Sequence, residues 1–186
     1  MNTRILLALA GATLLAACSS DRKEPTGPGG NAQTSYQATF KGGLTRTISG
    51  QAAFASDNGD TEIGFALVLA DSEDESADDL IFFYRGAAGV PGTGTIDLAD
   101  YASSEPGAEM PASAMIGSAI LAAGSANPIF CAASGGSINV QSSASTRLKG
   151  TFTMTMLCGT LTGEEEFETQ VTGSFDAAGG SVTIPG

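Results

Sequence analysis

The chain has 186 residues, of which 42% are hydrophobic and 15% charged, with eight basic and twenty acidic side chains and a formal net charge of −12. It contains no histidine and no tryptophan. Catalytic sites of the Ser-His-Asp or Cys-His type and histidine-ligated zinc sites are therefore excluded. The acidic balance also disfavours binding to nucleic acid or to anionic lipid surfaces. We expect a protein that is not an enzyme and that uses no cofactor and no nucleic-acid partner.

The first seventeen residues have the layout of a secretory signal. Arg4 supplies a positive charge, an apolar run covers residues 5–15, and the small residues Ala16 and Ala17 follow. The run is shorter than the roughly 20 apolar residues that a membrane-spanning helix needs. We therefore predict that residues 1–17 are an export signal that is removed, and its removal takes away one positive charge.

The sequence Leu15-Ala16-Ala17-Cys18 resembles the lipobox of bacterial lipoproteins, in which the bond before the cysteine is cut and the thiol carries a diacylglyceryl group. The resemblance implies that Cys18 is lipidated, and two acyl chains hold a protein stably on a membrane. Ser19 stands where inner-membrane lipoproteins of enteric bacteria have aspartate, which implies the outer membrane of the cell envelope. The alternative is an ordinary signal peptide cut near Ala17, which leaves a free thiol in an oxidising compartment.

A polar linker separates the cysteine from the rest of the chain. Residues 19–34 read SSDRKEPTGPGGNAQT, a composition that cannot bury enough apolar surface to fold alone. Residues 18–34 are therefore predicted to be a flexible tether, with a mean reach of about 20 to 25 Å. Residues 35–186 have the length of one domain, which we expect to be monomeric.

Residues 35–186 alternate between apolar and polar side chains with a period of two, and Gly, Asn or Asp stands at the breaks. This pattern predicts an all-β fold of about eight to ten antiparallel strands. The predicted strands cover residues 36–40, 45–56, 61–70, 80–85, 92–98, 112–123, 136–142, 146–158, 167–175 and 180–184. Both faces of strand 61–70 are apolar, as in a strand covered on both sides or one in a barrel wall. Strand 92–98 is predicted at a sheet edge. Segment 112–123 is ambiguous between strand and helix, and a strand is favoured because Pro111, Gly117 and Ser118 weaken the helix.

A short glycine motif recurs in three of these strands. Residues 148–152 and 171–175 both read apolar-x-Gly-x-Phe, and Ile48-Ser49-Gly50 begins in the same way. Glycine inside a strand marks a bulge, a bend or the close approach of another element. Its repetition on one face predicts sheets that curl, as in an antiparallel β-sandwich or a partly closed β-barrel.

Two cysteines remain after Cys18. An even pair in an exported protein predicts a disulfide between Cys131 and Cys158, which would stabilise the fold by about 3.5 kcal/mol in the chain-entropy model. The alternative is a thiolate pair for redox or metal chemistry, but the pair lacks Cys-x-x-Cys spacing. Cys158 shares its parity with Leu148, Phe152 and Met156, so we expect it to point inward.

The segment GGSINVQSSASTRLKGTFTMTM, together with QVTGSFD, resembles the C-terminal half of β-rich lipoproteins from environmental bacteria. The resemblance covers about the last 50 residues, and its motifs are structural. It implies a β fold and a membrane anchor but no activity. Cys131 and Cys158 are an addition to that pattern.

Acidic side chains cluster between two predicted strands. Ca²⁺ takes about six to eight oxygen ligands, which such a loop can partly supply. The spacing is not that of an EF-hand loop, and the alternative is a solvated hairpin connection. The six candidate ligands are Asp71, Glu73, Asp74, Glu75, Asp78 and Asp79.

Two further groups of residues have side chains that catalysis uses. Glu164, Glu165, Glu166 and Glu168 offer carboxylates for acid–base work on glycosidic bonds, or simply a charged hairpin tip that discourages edge-to-edge aggregation. Lysines 41 and 149 lie among serines, but without the Ser-x-x-Lys spacing.

These patterns predict a membrane-anchored envelope lipoprotein whose non-catalytic β domain is a surface or interaction module, with an unidentified protein or small-ligand partner. The alternative is a binding protein for a small apolar ligand or for Ca²⁺. A third hypothesis is an envelope hydrolase, which requires carboxylates gathered in one cleft.

Overall fold

A computed structural model of the chain describes residues 34–56, 63–71, 79–100, 114–123, 125–160 and 166–180. Within these ranges the all-β prediction is confirmed, and no helix is long and apolar enough to cross a membrane. The predicted export signal, Cys18 and all of the predicted tether except Thr34 lie outside the described residues. The described strands are β1 (Ser35–Gly42), β2 (Arg46–Ser56), β3 (Phe65–Ala70), β4 (Asp79–Arg85), β5 (Gly94–Asp97), β6 (Ile116–Leu121), β7 (Ile129–Ala144), β8 (Arg147–Thr160) and β9 (Glu166–Gly180).

Eight of these strands form a closed antiparallel barrel. Its order is β1, β2, β3, β4, β6, β7, β8 and β9, and β9 pairs back with β1. The closing register runs from Ser35 opposite Asp176 to Gly42 opposite Thr169. Beyond the start of β1, β2 pairs directly and in parallel with β9, beginning at Ala53 opposite Ala178. Of the two architectures that the sequence left open, the barrel is the observed one, and it is fully closed.

The remaining strand, β5, lies beside the barrel wall. It pairs with the second half of β7, while β6 pairs with the first half. Leu98, just after β5, forms a bridge with Met115, just before β6. β5 therefore continues the line of β6 along β7, and the prediction of a short edge strand is confirmed.

The structure confirms the strand favoured in one ambiguous segment and corrects two other predictions. β7 begins at Ile129, seven residues before the predicted start at residue 136. The ambiguous segment 112–123 contains strand β6 and no helix within its described residues. A break predicted between residues 175 and 180 is wrong, because β9 continues to Gly180. The residues after Phe175 have low intrinsic strand preference, but pairing with β8 and β2 holds them extended.

The glycine motif forms reciprocal pairs between β8 and β9. Gly150 stands opposite Phe175, and Phe152 stands opposite Gly173. A Cβ atom on Gly150 would lie 2.7 Å from Cζ of Phe175, and one on Gly173 would collide with the Phe152 ring. Each glycine thus leaves room for the phenylalanine ring of the neighbouring strand. Gly50 stands opposite Tyr36 on β1, but a Cβ atom on Gly50 would collide with the backbone of Ala70 and Asp71, so this glycine makes room for a neighbouring strand.

Candidate functional site

The middle of the barrel is filled by side chains. Phe83 on β4 and Phe152 on β8 have ring centroids 5.1 Å apart in an edge-to-face arrangement. These strands stand three places apart around the barrel, so the contact crosses the lumen. Both rings are buried, as are the inward-facing Phe40, Phe65 and Leu67. The walls therefore pack against each other at this level, as in small barrels whose interior holds only side chains.

The predicted disulfide is present. Cys131 and Cys158 are directly opposite each other on β7 and β8, with an S–S distance of 2.08 Å. They are 2% and 1% exposed, so both sulfurs face the lumen, and the inward direction predicted for Cys158 is confirmed. Because both thiols are consumed in this bond, neither serves as a nucleophile or a metal ligand in this state.

A charged pair closes one end of the barrel. Arg46, the first residue of β2, reaches over β3 and donates from Nη2 to Oδ2 of Asp79 on β4. The other carboxylate oxygen of Asp79 accepts a hydrogen bond from the Ala122 N–H at 3.1 Å. The Asp79 side chain is only 4% exposed, whereas that of Arg46 is 37% exposed. The pair therefore joins a buried carboxylate to a cation at the rim.

Tyr36 and Asp71 complete this group, which we term the mouth cluster: Tyr36, Arg46, Asp71 and Asp79. Tyr36 stands opposite Gly50 in the wall, and Asp71 lies on the other side of that glycine. A Cβ atom on Gly50 would lie 2.6 Å from the Cα of Asp71, so only glycine allows β3 to approach β2 this closely. The backbone N–H of Asp71 donates to the carbonyl oxygen of Asp79 at 3.1 Å, which fixes the two acidic residues side by side.

The Tyr36 hydroxyl lies in the field of the other three residues. Burial raises the pKa of Tyr36 well above its ordinary value, and the negative charges of Asp71 and Asp79 raise it further. The positive charge of Arg46 acts in the opposite direction but is the weaker influence. Tyr36 therefore remains a neutral hydroxyl at neutral pH.

The structure describes two of the six candidate Ca²⁺ ligands, Asp71 and Asp79. Glu73, Asp74, Glu75 and Asp78 lie outside the described residues. Asp79 is bound to Arg46, so one of the two described carboxylates already has a positive partner. In the described part of the chain, no three Cys, His, Asp or Glu side chains gather as a metal site.

The carboxylates considered for glycosidic chemistry are not brought together by the described residues. Glu166 and Glu168 are both exposed on β9, and Glu164 and Glu165 lie outside the described part. Lys149 points outward from β8, as predicted, and its Nζ lies 2.7 Å from Oδ2 of Asp176. Lys41 is exposed near the end of β1.

An ion-pair network joins the outer faces of β8 and β9. Arg147 donates to both carboxylate oxygens of Asp176, from Nε at 2.6 Å and from Nη2 at 2.7 Å. The hydrogen bond from Arg147 lowers the pKa of Asp176 below its usual value, and the one from Lys149 adds to the effect. This network supports the β8–β9 pairing at the surface and contributes little to stability, since exposed pairs are screened by water.

Arg85 lies at the end of β3 and β4 that is farther from the mouth cluster. The guanidinium of Arg85 is 5.8 Å from the centroid of the Phe65 ring, and its Nη2 donates to the Gly89 carbonyl at 3.0 Å. Burial lowers the pKa of Arg85. The arginine stacks on the end of the aromatic core and ties the segment after β4 to it.

The outer surface differs from one side of the barrel to the other. Thr153, Thr172, Thr39 and Thr47 stand directly opposite one another in a row across β8, β9, β1 and β2. The hydroxyls of Thr39 and Thr47 lie 3.3 Å apart. On the other side, the outward residues Leu80, Ile120 and Phe130 form a separate apolar cluster and are only 6 to 8% exposed. The polar side therefore offers uncharged hydroxyl groups to solvent.

No protein-family model, curated protein or solved structure matches this chain. The function of the barrel must therefore be argued from its own residues.

Sequence reasoning named Asp71 and Asp79 but missed Tyr36 and Arg46. One signal was available, because Arg46 has the same parity as the inward-facing Ile48 and Ala52. A charged residue at an inward position needs a buried partner of opposite charge. Nothing in the sequence identifies that partner as Asp79, which is 33 residues away.

Proposed function

We propose that this protein is a lipid-anchored lipoprotein of the bacterial cell envelope, held at the outer membrane through Cys18, and that its barrel is a non-catalytic interaction module. The observation that carries the second part is the contact of Phe83 with Phe152 across the lumen. Because opposite walls touch, the outside of the barrel is the surface that a partner can reach. The lipobox at Leu15-Ala16-Ala17-Cys18 supports the anchor.

The filled lumen also favours this function over a carrier of apolar molecules. A lumen carrier needs an unoccupied interior, as in barrels that enclose one small ligand. Here large side chains occupy the interior, including Phe40, Phe65, Phe83 and Phe152. The exposed threonine row suits a partner that exchanges hydrogen bonds, since each hydroxyl both donates and accepts.

The anchor is tested by the variant Cys18→Ala, with Ser20→Ala as the matched control that leaves the lipobox intact. We expect Cys18→Ala to move from the membrane fraction to the soluble fraction and to lose incorporation of labelled fatty acid. Two acyl chains supply most of the membrane affinity, so their loss should be visible by fractionation. Retention of Cys18→Ala in the membrane, with labelling unchanged, would show that the anchor is elsewhere.

Native mass spectrometry of the protein extracted from its own membrane tests the module. A lipidated chain with one disulfide and no bound organic molecule agrees with the proposal. A bound small molecule that leaves on denaturation would instead favour the ligand-binding alternative.

A further inference from the structure

Two buried polar atoms in the mouth cluster have no hydrogen-bond partner among the described residues. They are the hydroxyl oxygen of Tyr36 and Oδ1 of Asp71. Tyr36 is only 3% exposed, so its hydroxyl has no access to bulk water. Native proteins pair nearly all such atoms, and an exception points to a bound water or ion.

The charges of the cluster show which of these occupants fits. Asp79 has both carboxylate oxygens occupied, one by Arg46 and the other by the Ala122 N–H. Asp71 carries the second negative charge, and its buried Oδ1 is free of any partner in the described part of the chain. The cluster therefore holds one negative charge more than it holds positive charges. A buried carboxylate oxygen is costly to leave without a compensating partner.

We propose that the mouth cluster binds one alkali-metal cation, Na⁺ or K⁺, between the Tyr36 hydroxyl oxygen and Oδ1 of Asp71. A single positive charge neutralises the cluster, and both oxygens have lone pairs that can coordinate the ion. Tyr36 supplies a neutral oxygen, which suits an ion of low charge. This site is independent of the lipid anchor and of any partner on the outer surface.

A divalent ion fits the cluster less well. Ca²⁺ takes about six to eight oxygen ligands, commonly with several carboxylates. Within the mouth cluster, Asp71 is the one carboxylate outside the ion pair, since Asp79 is already bound to Arg46. A second positive charge would also lie next to the Arg46 guanidinium and be repelled by it.

The test is the thermal stability of the mature protein in a non-ionic detergent. Its Tm is measured in rising concentrations of NaCl, KCl or choline chloride at matched ionic strength. Screening of the acidic surface raises Tm equally in all three salts. Binding of Na⁺ or K⁺ to the folded state adds a further shift of about 3 °C when the ion is roughly tenfold above its Kd.

Variants locate the effect. Tyr36→Phe and Asp71→Asn should each abolish the difference between the alkali salts and choline chloride. Glu168→Gln, which removes an exposed carboxylate on β9, should keep it. Each variant is compared with itself in the three salts. A lower overall Tm of a variant therefore does not affect the comparison.

Several results would overturn the proposal. Equal Tm values in all three salts would mean that water, and not an alkali-metal ion, is the partner of the two oxygens. Persistence of the difference in both Tyr36→Phe and Asp71→Asn would place the ion elsewhere. Stabilisation by micromolar CaCl₂ in place of NaCl or KCl would show a divalent site. Crystals soaked in a rubidium salt provide the direct check, with an anomalous peak expected between the two oxygens.

Discussion

At the scale of single residues, the mouth cluster depends on one glycine and one tyrosine. Gly50 allows β3 to cross close to β2, and Tyr36 lies opposite that glycine in the neighbouring strand. The tyrosine hydroxyl is thereby buried among Asp71, Asp79 and Arg46. Because the hydroxyl is buried beside two carboxylates, the stability of the protein should fall when pH rises far enough to ionise it.

The variant Tyr36→Phe should make the protein less sensitive to alkali. Burial and two carboxylates hold the pKa of Tyr36 above its ordinary value of about 10, so ionisation favours the unfolded state. The contribution of Tyr36 to stability is complete below about pH 10 and declines as pH rises beyond it. Between about pH 10 and 11 we expect the free energy of unfolding to fall by up to about 1.4 kcal/mol more in the native protein than in Tyr36→Phe.

Urea unfolding at several pH values, in choline salts without Na⁺ or K⁺, measures this difference, since a cation at the Tyr36 oxygen would lower its pKa. Each protein is its own reference at pH 8, which removes any general loss of stability in the variant. Parallel pH profiles for the two proteins would mean that the Tyr36 hydroxyl is not held in a negative, buried environment.

At the scale of strands, the β8–β9 pair explains why glycine and phenylalanine recur at a fixed spacing. Each strand places a glycine two residues before a phenylalanine, and the antiparallel register crosses the two pairs. Gly150 receives the ring of Phe175, and Gly173 receives the ring of Phe152. The motif therefore allows adjacent strands to pack closely, and it requires a glycine on one strand opposite a phenylalanine on the other.

The variant Gly150→Ala should destabilise the barrel by about 1 to 3 kcal/mol, because the new methyl group overpacks this site. Its Cβ would lie 2.5 Å from the Asn139 carbonyl oxygen and 2.7 Å from Cζ of Phe175. Gly92→Ala is the matched control, since nothing lies within 4 Å of its Cβ position. Chemical denaturation measures both, and the control should change stability by less than about 0.5 kcal/mol.

Equal effects of Gly150→Ala and Gly92→Ala would show that the Phe175 ring moves aside without cost. The combination of Gly150→Ala with Phe175→Leu extends the test. If the ring is the obstacle, the double variant should lose less stability than the sum of the single variants.

Much of this strand-level organisation follows from the sequence. Period-two alternation predicted most strands and the inward direction of Cys158, because a half-buried strand must alternate. It did not predict that β9 extends to Gly180, since Asp176, Gly179 and Gly180 lack strand preference and are held by their neighbours. The mouth cluster also escaped prediction, because Arg46 meets Asp79 only after three strands have been assembled.

At the scale of the whole molecule, the first and last described strands close the barrel. Lys41 on β1 and Gln170 on β9 are paired although they are far apart in the chain. Such pairing cannot be read from local patterns, because the same strands can form a sandwich or an open sheet. Closure also means that β1 cannot pair along both of its edges until β9 reaches it. Because this contact is distant in sequence, we expect slow folding.

A circular permutant tests the closure directly. Joining Gly180 to Thr34 by about six Gly and Ser residues should bridge the gap, because Ser35 stands opposite Asp176. With new termini between Asn58 and Gly59, we expect the disulfide and the β-sheet circular dichroism to be kept, with a loss of about 1 to 2 kcal/mol.

The matched control permutant opens inside β8, between Met154 and Thr155, where both edges of the strand are paired. It should fail to fold. If the permutant opened between Asn58 and Gly59 also fails to fold, the ends of β1 and β9 are not adjacent as the closed barrel requires.

The position of the Cys131–Cys158 bond inside the lumen makes it a probe of barrel opening. A reductant in solution reaches the sulfurs only when β7 and β8 separate or the chain unfolds, since both cysteines are almost fully buried. Resistance to reduction under native conditions is thus expected of an intact bond. The rate of reduction, followed over rising denaturant, reports how often this part of the wall opens and distinguishes local openings from global unfolding.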